Sequence, residues 1–193
     1  IFVNDAGQNC IVIVNGANDR ITKEHVRGAT SEISAAKAVV CQLEIPVEVS
    51  LEALKVAKEN NTLTIFNPAP ARADLPNDIF QACDIIAPNE PEAELLTGEK
   101  VDSSEGAVRA ARKLIDKGCK TVIMTLGKRG CLILSKDDLD SPTFVGVPQK
   151  DVDVKDTSGA GDCFIGSLSY FIGKGLELPE ACRRACYCAT ISV

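Results

Sequence analysis

Short apolar runs alternate with amphipathic helical stretches along most of this chain, and that alternation restricts the fold more than any single residue does. Residues 38–43, 62–66, 84–87 and 121–126 are nearly continuous in apolar side chains and too short to be helices. Asn67-Pro68, Pro88 and Gly127 stop three of them. Between the runs, Leu51, Leu54 and Ala57 recur at helical spacing, as do Ala107, Val108, Ala111, Leu114 and Ile115. A strand that is apolar throughout must be covered on both faces. The pattern therefore predicts an α/β domain in three layers, with helices on both sides of a largely parallel sheet.

Finer signals place the ends of some elements. Asp102 reads as a helix N-cap, with Glu105 closing a capping box and Gly118 ending the helix. Gly127 and Gly130 predict a tight turn joining 121–126 to an antiparallel strand at 131–134. Residues 10–14 read as a further strand, closed by Asn15-Gly16-Ala17-Asn18. Residues 141–155 predict a short strand and a crossing connection, and a last helix starts near Leu178-Pro179-Glu180. The strand-like beginning at Ile1 and the ending at Val193 in mid-pattern read as a piece of a longer chain.

Charge and cysteine usage narrow the possible partners. A formal net charge of -6 disfavours a nucleic-acid backbone. No apolar run reaches the length needed to span a bilayer, and residues 1–7 lack the pattern of a secretory signal. Nine cysteines, an odd number dispersed among predicted strands and helix faces, suit buried free thiols in a reducing compartment. A cytoplasmic location, with a nuclear pool compatible, is the expectation. Cys182, Cys186 and Cys188 cluster without the second pair a zinc site needs.

One segment carries chemistry. Asp156-Thr157-Ser158-Gly159-Ala160-Gly161-Asp162-Cys163 precedes an apolar helical run. The first turn of a helix has amides without intrahelical acceptors, and small residues let an anion approach them. Asp162 adds a carboxylate able to accept a proton. Taken alone, the glycines could serve helix packing, and Asp162 could merely favour the helix terminus. Likewise Thr125 to Gly130 could be an ordinary hairpin turn, Asn89 a simple N-cap, Glu92 a solvated helix residue, and Lys128 and Arg129 a solvated basic pair. His25, the single histidine, reads as a surface residue.

These segments together resemble the ribokinase group of the PfkB carbohydrate kinases. Asp156-Thr157-Ser158-Gly159-Ala160-Gly161-Asp162 is similar to that family's D-T-x-G-A-G-D signature. Thr125-Leu126-Gly127-Lys128-Arg129-Gly130 is similar to its T-L-G-x-x-G turn, and Asn89-Glu90-Pro91-Glu92 to its N-x-x-E motif. Their order agrees over nearly the whole of residues 1–193, which reads as part of one kinase domain. Gln42-Leu43-Glu44 and Asn15 to Asn18 resemble the ribokinase branch within it.

The resemblance implies an incomplete three-layer α-β-α ribokinase-like fold and phosphorylation of the terminal hydroxyl of D-ribose by ATP, giving ribose 5-phosphate and ADP. It implies Asp162 as general base at the sugar and nucleotide, and Gly159, Ala160 and Gly161 as the anion hole. Asn89, Thr125, Leu126, Gly127, Lys128, Arg129, Gly130 and Gly161 would contact ATP. Glu44 would hold sugar hydroxyls, and Glu92 would help organise Mg²⁺ through water. Asp156 and Ser158 would join a potassium site. The sugar-binding and lid regions of the family lie mostly outside this sequence, so weak ribose binding by this piece is implied, with homodimers expected of a full-length protein. Another sugar or nucleoside kinase of the family and a non-catalytic nucleotide-binding relative are the alternatives.

Overall fold

The apolar runs assemble side by side into one sheet. The computed structural model describes residues 2–3, 9–10, 12–148 and 156–193. Strands β1 (Phe2–Val3) and β2 (Asn9–Cys10) form a separate antiparallel ribbon. The short helices α1 (Lys23–Gly28) and α2 (Thr30–Ala35) follow, then β3 (Ala38–Cys41), α3 (Val47–Glu59), β4 (Leu63–Phe66), α4 (Asn77–Gln81), β5 (Ile85–Ile86), α5 (Glu90–Thr97), α6 (Ser104–Asp116) and β6 (Thr121–Thr125). A hairpin joins β6 to β7 (Cys131–Ser135), which pairs with β8 (Asp138–Val145). Helices α7 (Ala160–Gly173) and α8 (Leu178–Ile191) complete the chain. The sheet order is β3-β4-β5-β6-β7-β8, parallel as far as β6 and antiparallel from there to β8.

Side chains of successive strand residues enter opposite faces, as the pleat requires. Val122 and Met124 of β6, with Leu132 and Leu134 of β7, join the core beneath α3 to α6, where Leu54, Ile79, Phe80 and Leu114 are buried. Ile123, Cys131 and Ile133 face the other way, against Phe164, Ile165 and Leu168 of α7 and Ala181 and Cys182 of α8. Each large apolar side chain so buried contributes about 1.5–3 kcal/mol. The three expected layers are therefore present, and Cys41, Cys83, Cys119, Cys131, Cys163, Cys182, Cys186 and Cys188 are free thiols.

Three boundaries differ from expectation. Helix α6 is capped by Ser103, whose Oγ accepts from the Gly106 amide at 3.1 Å. Gly106 thus takes the third helical position, so Glu105 cannot return to the cap. A side chain at Gly106 would also lie 2.3 Å from the Lys100 carbonyl. Residues 12–15 form no strand, and Val12, Ile13 and Val14 are exposed, because none of the described strands pairs with them. Of the 141–155 region, the strand runs over Asp138–Val145, and residues 149–155 lie outside the described residues. His25 is exposed as expected, and its Nδ1 accepts from the Thr22 amide to complete a capping box on α1.

Asp84 ties the middle of the sheet together. It accepts from the Thr64 amide and hydroxyl, both at 3.1 Å, and pairs with Lys120 at 2.7 Å. Partial burial pushes its carboxyl up, but the Lys120 and Thr64 contacts outweigh that and hold it below the usual 3.8. A carboxyl depressed on folding adds stability above its unfolded pKa, and that stability disappears as pH falls through the folded value. Asp84→Asn is accordingly expected to lower the urea midpoint at pH 7 and to converge on wild type below pH 3.8. A difference that stays constant from pH 6 to pH 2.5 would overturn the assignment.

Candidate active site

The parallel strands β3 to β6 end on the same edge of the sheet, where an open α/β fold leaves a crevice. After β5 the chain passes Pro88 to Asn89, which has extended dihedrals and caps α5. Asn89 Oδ1 accepts from the Glu92 amide at 2.8 Å. In return Glu92 Oε2 accepts from the Asn89 amide at 2.8 Å and Oε1 from Asn89 Nδ2 at 3.0 Å. Burial pushes the Glu92 carboxyl above its usual range, opposed by the Asn89 amide. The N-x-x-E spacing is thus the spacing of a reciprocal cap, and both Glu92 oxygens are engaged in it.

The turn after β6 is built on the same neighbour. Thr125 donates its amide to the Pro88 carbonyl at 3.0 Å, and the Leu126 amide reaches Gly130 O at 2.8 Å. Leu126 is buried in the core beneath α3 to α6, and Gly127–Arg129 forms a single 3₁₀ turn. The Arg129 guanidinium is bound to Glu90 and to the Val101 carbonyl. Lys128 remains exposed on the crevice side.

Helix α7 begins beside this turn. Gly159 is its N-cap at φ +76°, a left-handed conformation that favours glycine. Ala160 donates to the Thr157 carbonyl at 3.2 Å and Cys163 to the Gly159 carbonyl at 2.8 Å. Among the described residues, none accepts from the amides of Gly161 and Asp162. A Cβ built on Gly161 meets nothing within 4 Å, so packing does not demand glycine there. Before the helix, Asp156 Oδ1 accepts from the Ser158 amide at 2.8 Å, and that amide and the Ser158 hydroxyl hold the Asp156 carboxyl below its usual range.

Asp162 turns toward the end of β3. Its Oδ1 accepts from Gln42 Nε2 at 2.8 Å, and Gln42 Nε2 also donates to Asn67 Oδ1 at 3.0 Å. Glu44, two residues past Gln42, is exposed. A cavity of about 610 Å³ brings together Asn89, Thr125, Gly127, Lys128, Gly130, Ala160 and Gly161. It does not reach Leu126, Arg129, Glu92, Asp156, Ser158, Gly159, Asp162 or Glu44; Asp162 follows directly on its Gly161 wall. Its far wall comes from α8 and the chain end, with Cys186, Ala189, Thr190 and Val193, and Phe164 closes the floor.

The residues present suit a nucleotide phosphate: a cavity of sufficient size, two helix-terminus amides without acceptors among the described residues, and one lysine, while the carboxylate of Glu90 on the same wall is paired with Arg129. They suit Mg²⁺ less directly. Among the described residues no three His, Cys, Asp or Glu side chains converge, and Glu92 is held by its own cap. Mg²⁺ commonly relies on substrate phosphates and water rather than a protein cage.

Fold and site together define an α/β domain with an anion-competent helix terminus on the carboxyl edge of its sheet. The model of the pfkB family of carbohydrate kinases matches residues 1–193, and the chain belongs to that family. It is 44% identical to a ribokinase of Mus musculus over 195 residues, covering all of this chain and 59% of that protein. It is 36% identical over 193 residues to a deoxyribokinase of Salmonella typhi, covering all of this chain and 61% of that one. Among solved structures, Arabidopsis thaliana ribokinase complexed with ribose and ATP superposes with a TM-score of 0.86 at 27% identity, over 97% of this chain and 60% of that one. The chain thus spans about 60% of the length of the curated relatives it matches.

Proposed function

We propose that this chain carries the phosphoryl-transfer centre of an ATP-dependent ribokinase. The observation that supports it most is Asp162 in the first turn of α7, one residue past the Gly161 wall of the cavity, beside amides without acceptors. In this reading the sugar's terminal hydroxyl oxygen bonds to the γ-phosphorus as the bond to the β–γ bridging oxygen breaks, and ADP leaves. Asp162 takes the hydroxyl proton, while the Gly161 and Asp162 amides, with Gly159 and Ala160 shaping the turn, stabilise charge on the transferred group. Fixed amides need no reorientation during the step, and holding hydroxyl and phosphate in line contributes as much as the base does. Mg²⁺ bound with the nucleotide would neutralise phosphate charge, and K⁺ near Asp156 and Ser158 would order the turn.

Ribose as acceptor rests on the higher identity to a ribokinase than to a deoxyribokinase, 44% against 36%, and on Glu44, exposed near Asp162's partner Gln42. Homodimerisation of the native protein and a cytoplasmic location belong to the same proposal. The test is turnover with ribose, 2-deoxyribose, fructose and adenosine, with and without potassium, on this chain and on the native chain containing it. Ribose-selective, potassium-stimulated turnover is expected of the native chain, and little or none of this piece alone. Faster turnover of 2-deoxyribose would make the enzyme a deoxyribokinase. Folded protein that binds ATP but phosphorylates none of the four would favour a non-catalytic relative.

A further inference from the structure

We infer that Gln42 and Asn67 form a positioning relay that fixes the Asp162 carboxylate from the ends of three parallel strands. The inference rests on the reading of Asp162 as the base. Gln42 follows β3, Asn67 follows β4, and Ala87 follows β5. Asn67 Nδ2 donates to the Ala87 carbonyl at 2.8 Å, and its amide donates to the Cys41 carbonyl at 2.9 Å. Those two bonds orient the Asn67 side chain, because its nitrogen must face Ala87 and its oxygen therefore faces Gln42. Asn67 is only 7% exposed, so its carbonyl oxygen relies on a protein partner. Gln42 Nε2 fills that role at 3.0 Å and places its remaining hydrogen on Asp162 Oδ1 at 2.8 Å. The Gln42 main chain is held in turn, its carbonyl accepting from the fully buried Ser50 hydroxyl at 2.8 Å.

An amide nitrogen has two hydrogens, and here both have assigned acceptors. The direction of every bond in the chain Ala87–Asn67–Gln42–Asp162 is thereby determined by one backbone carbonyl. The consequence for Asp162 is an asymmetric carboxylate. Oδ1 already accepts one hydrogen bond from a neutral donor, which lowers its basicity and makes Oδ2 the favoured oxygen to receive the proton of the acceptor hydroxyl. Rotation of the carboxylate would break the Gln42 bond, so the base is held in one orientation before substrate arrives. Proximity effects are sensitive to displacements of about 1 Å, and Asp162 stands on the first turn of a helix, outside the sheet. The relay ties it to the rigid layer.

The experiment uses the native full-length chain, with Asp162→Asn, Gln42→Leu, Gln42→Glu and Asn67→Leu compared for kcat, both KM values, ATP binding and the pH dependence of kcat/KM. Gln42→Leu should lower kcat about tenfold to a hundredfold with the KM for ATP unchanged. Gln42→Glu sets two carboxylates against each other across a hydrogen bond, so they share a proton and the acidic limb of the pH profile moves to higher pH. A side chain that only packs would leave that limb in place. Asn67→Leu should match Gln42→Leu in kcat; should it not fold, the two Gln42 variants decide. Loss of turnover in Asp162→Asn with wild-type kcat and pH profile in both Gln42 variants overturns the relay alone. Near-normal turnover in Asp162→Asn overturns the base itself.

Discussion

Asp162→Asn is expected to lower kcat by about a hundredfold to ten-thousandfold, the range a positioned general base contributes, while ATP binds as it does to wild type. The two halves of that result have separate causes. The asparagine oxygen can still accept from Gln42 Nε2, which now reaches Oδ1 at 2.8 Å, so the side chain keeps its place and the helix start keeps its shape. Asn89, Thr125, Gly127, Lys128, Gly130 and Gly161 line the cavity without help from the Asp162 side chain. The backbone amides of the first turn are unchanged as well. What disappears is the capacity to take the hydroxyl proton as the new bond to phosphorus forms. Calorimetric titration with a non-hydrolysable ATP analogue, paired with steady-state turnover, separates the two. Retained turnover would mean that charge stabilisation alone drives the reaction. Lost binding would mean that the carboxylate shapes the cavity.

How far the sequence reveals this site depends on the range of each interaction. The N-x-x-E motif and the turn at Thr125–Gly130 are local. A cap needs its partner three residues away, and a tight turn needs its glycines at fixed offsets, so both are visible as spacing. The strands β4 to β6 are equally plain, because burial on both faces leaves continuous apolar runs, and the edge strand β3 reads the same way although its Val40 is exposed. Helices α1 and α2 are a different case: they bury no residue fully, so no apolar stripe announces them. Helix α4 has five residues, barely more than one turn. The cap of α6 falls one residue later than Asp102, at Ser103, whose hydroxyl accepts from the Gly106 amide. The Gln42–Asp162 bond joins positions 120 apart, and Gln42–Asn67 positions 25 apart. Only the parallel register places those residues at one edge. Ala189 and Thr190 on the α8 wall of the cavity are hidden for the same reason, since they carry no chemistry that marks them in advance.

Gly130 and Gly161 both line the cavity, and substitution of each is expected to fail for opposite reasons. Gly130→Ala is expected to destabilise the protein by about 2–6 kcal/mol, combining backbone strain of about 1–3 with overpacking of about 1–3. Gly130 sits at φ +88° and ψ −124°, where a side chain is strained in any surroundings. A Cβ there would stand 1.9 Å from the Val145 carbonyl oxygen and 3.0 Å from Gly146, both backbone atoms that cannot rotate aside. Relief requires the end of β8 to leave Cys131, its partner in the β7 pairing, or the turn to give up the Leu126 amide bond. Gly161→Ala serves as the internal comparison. Its Cβ meets nothing within 4 Å and its backbone is helical, so alanine there should keep or slightly raise stability. Gly161 lines the cavity, so the added methyl would take up space at its wall, and nucleotide affinity should fall even though the fold is intact. Urea unfolding of both variants, followed by ATP-analogue titration, makes the comparison. A Gly130→Ala protein as stable as wild type would show that the turn tolerates a side chain, and the motif's last glycine would then need a ligand-side explanation like that of Gly161.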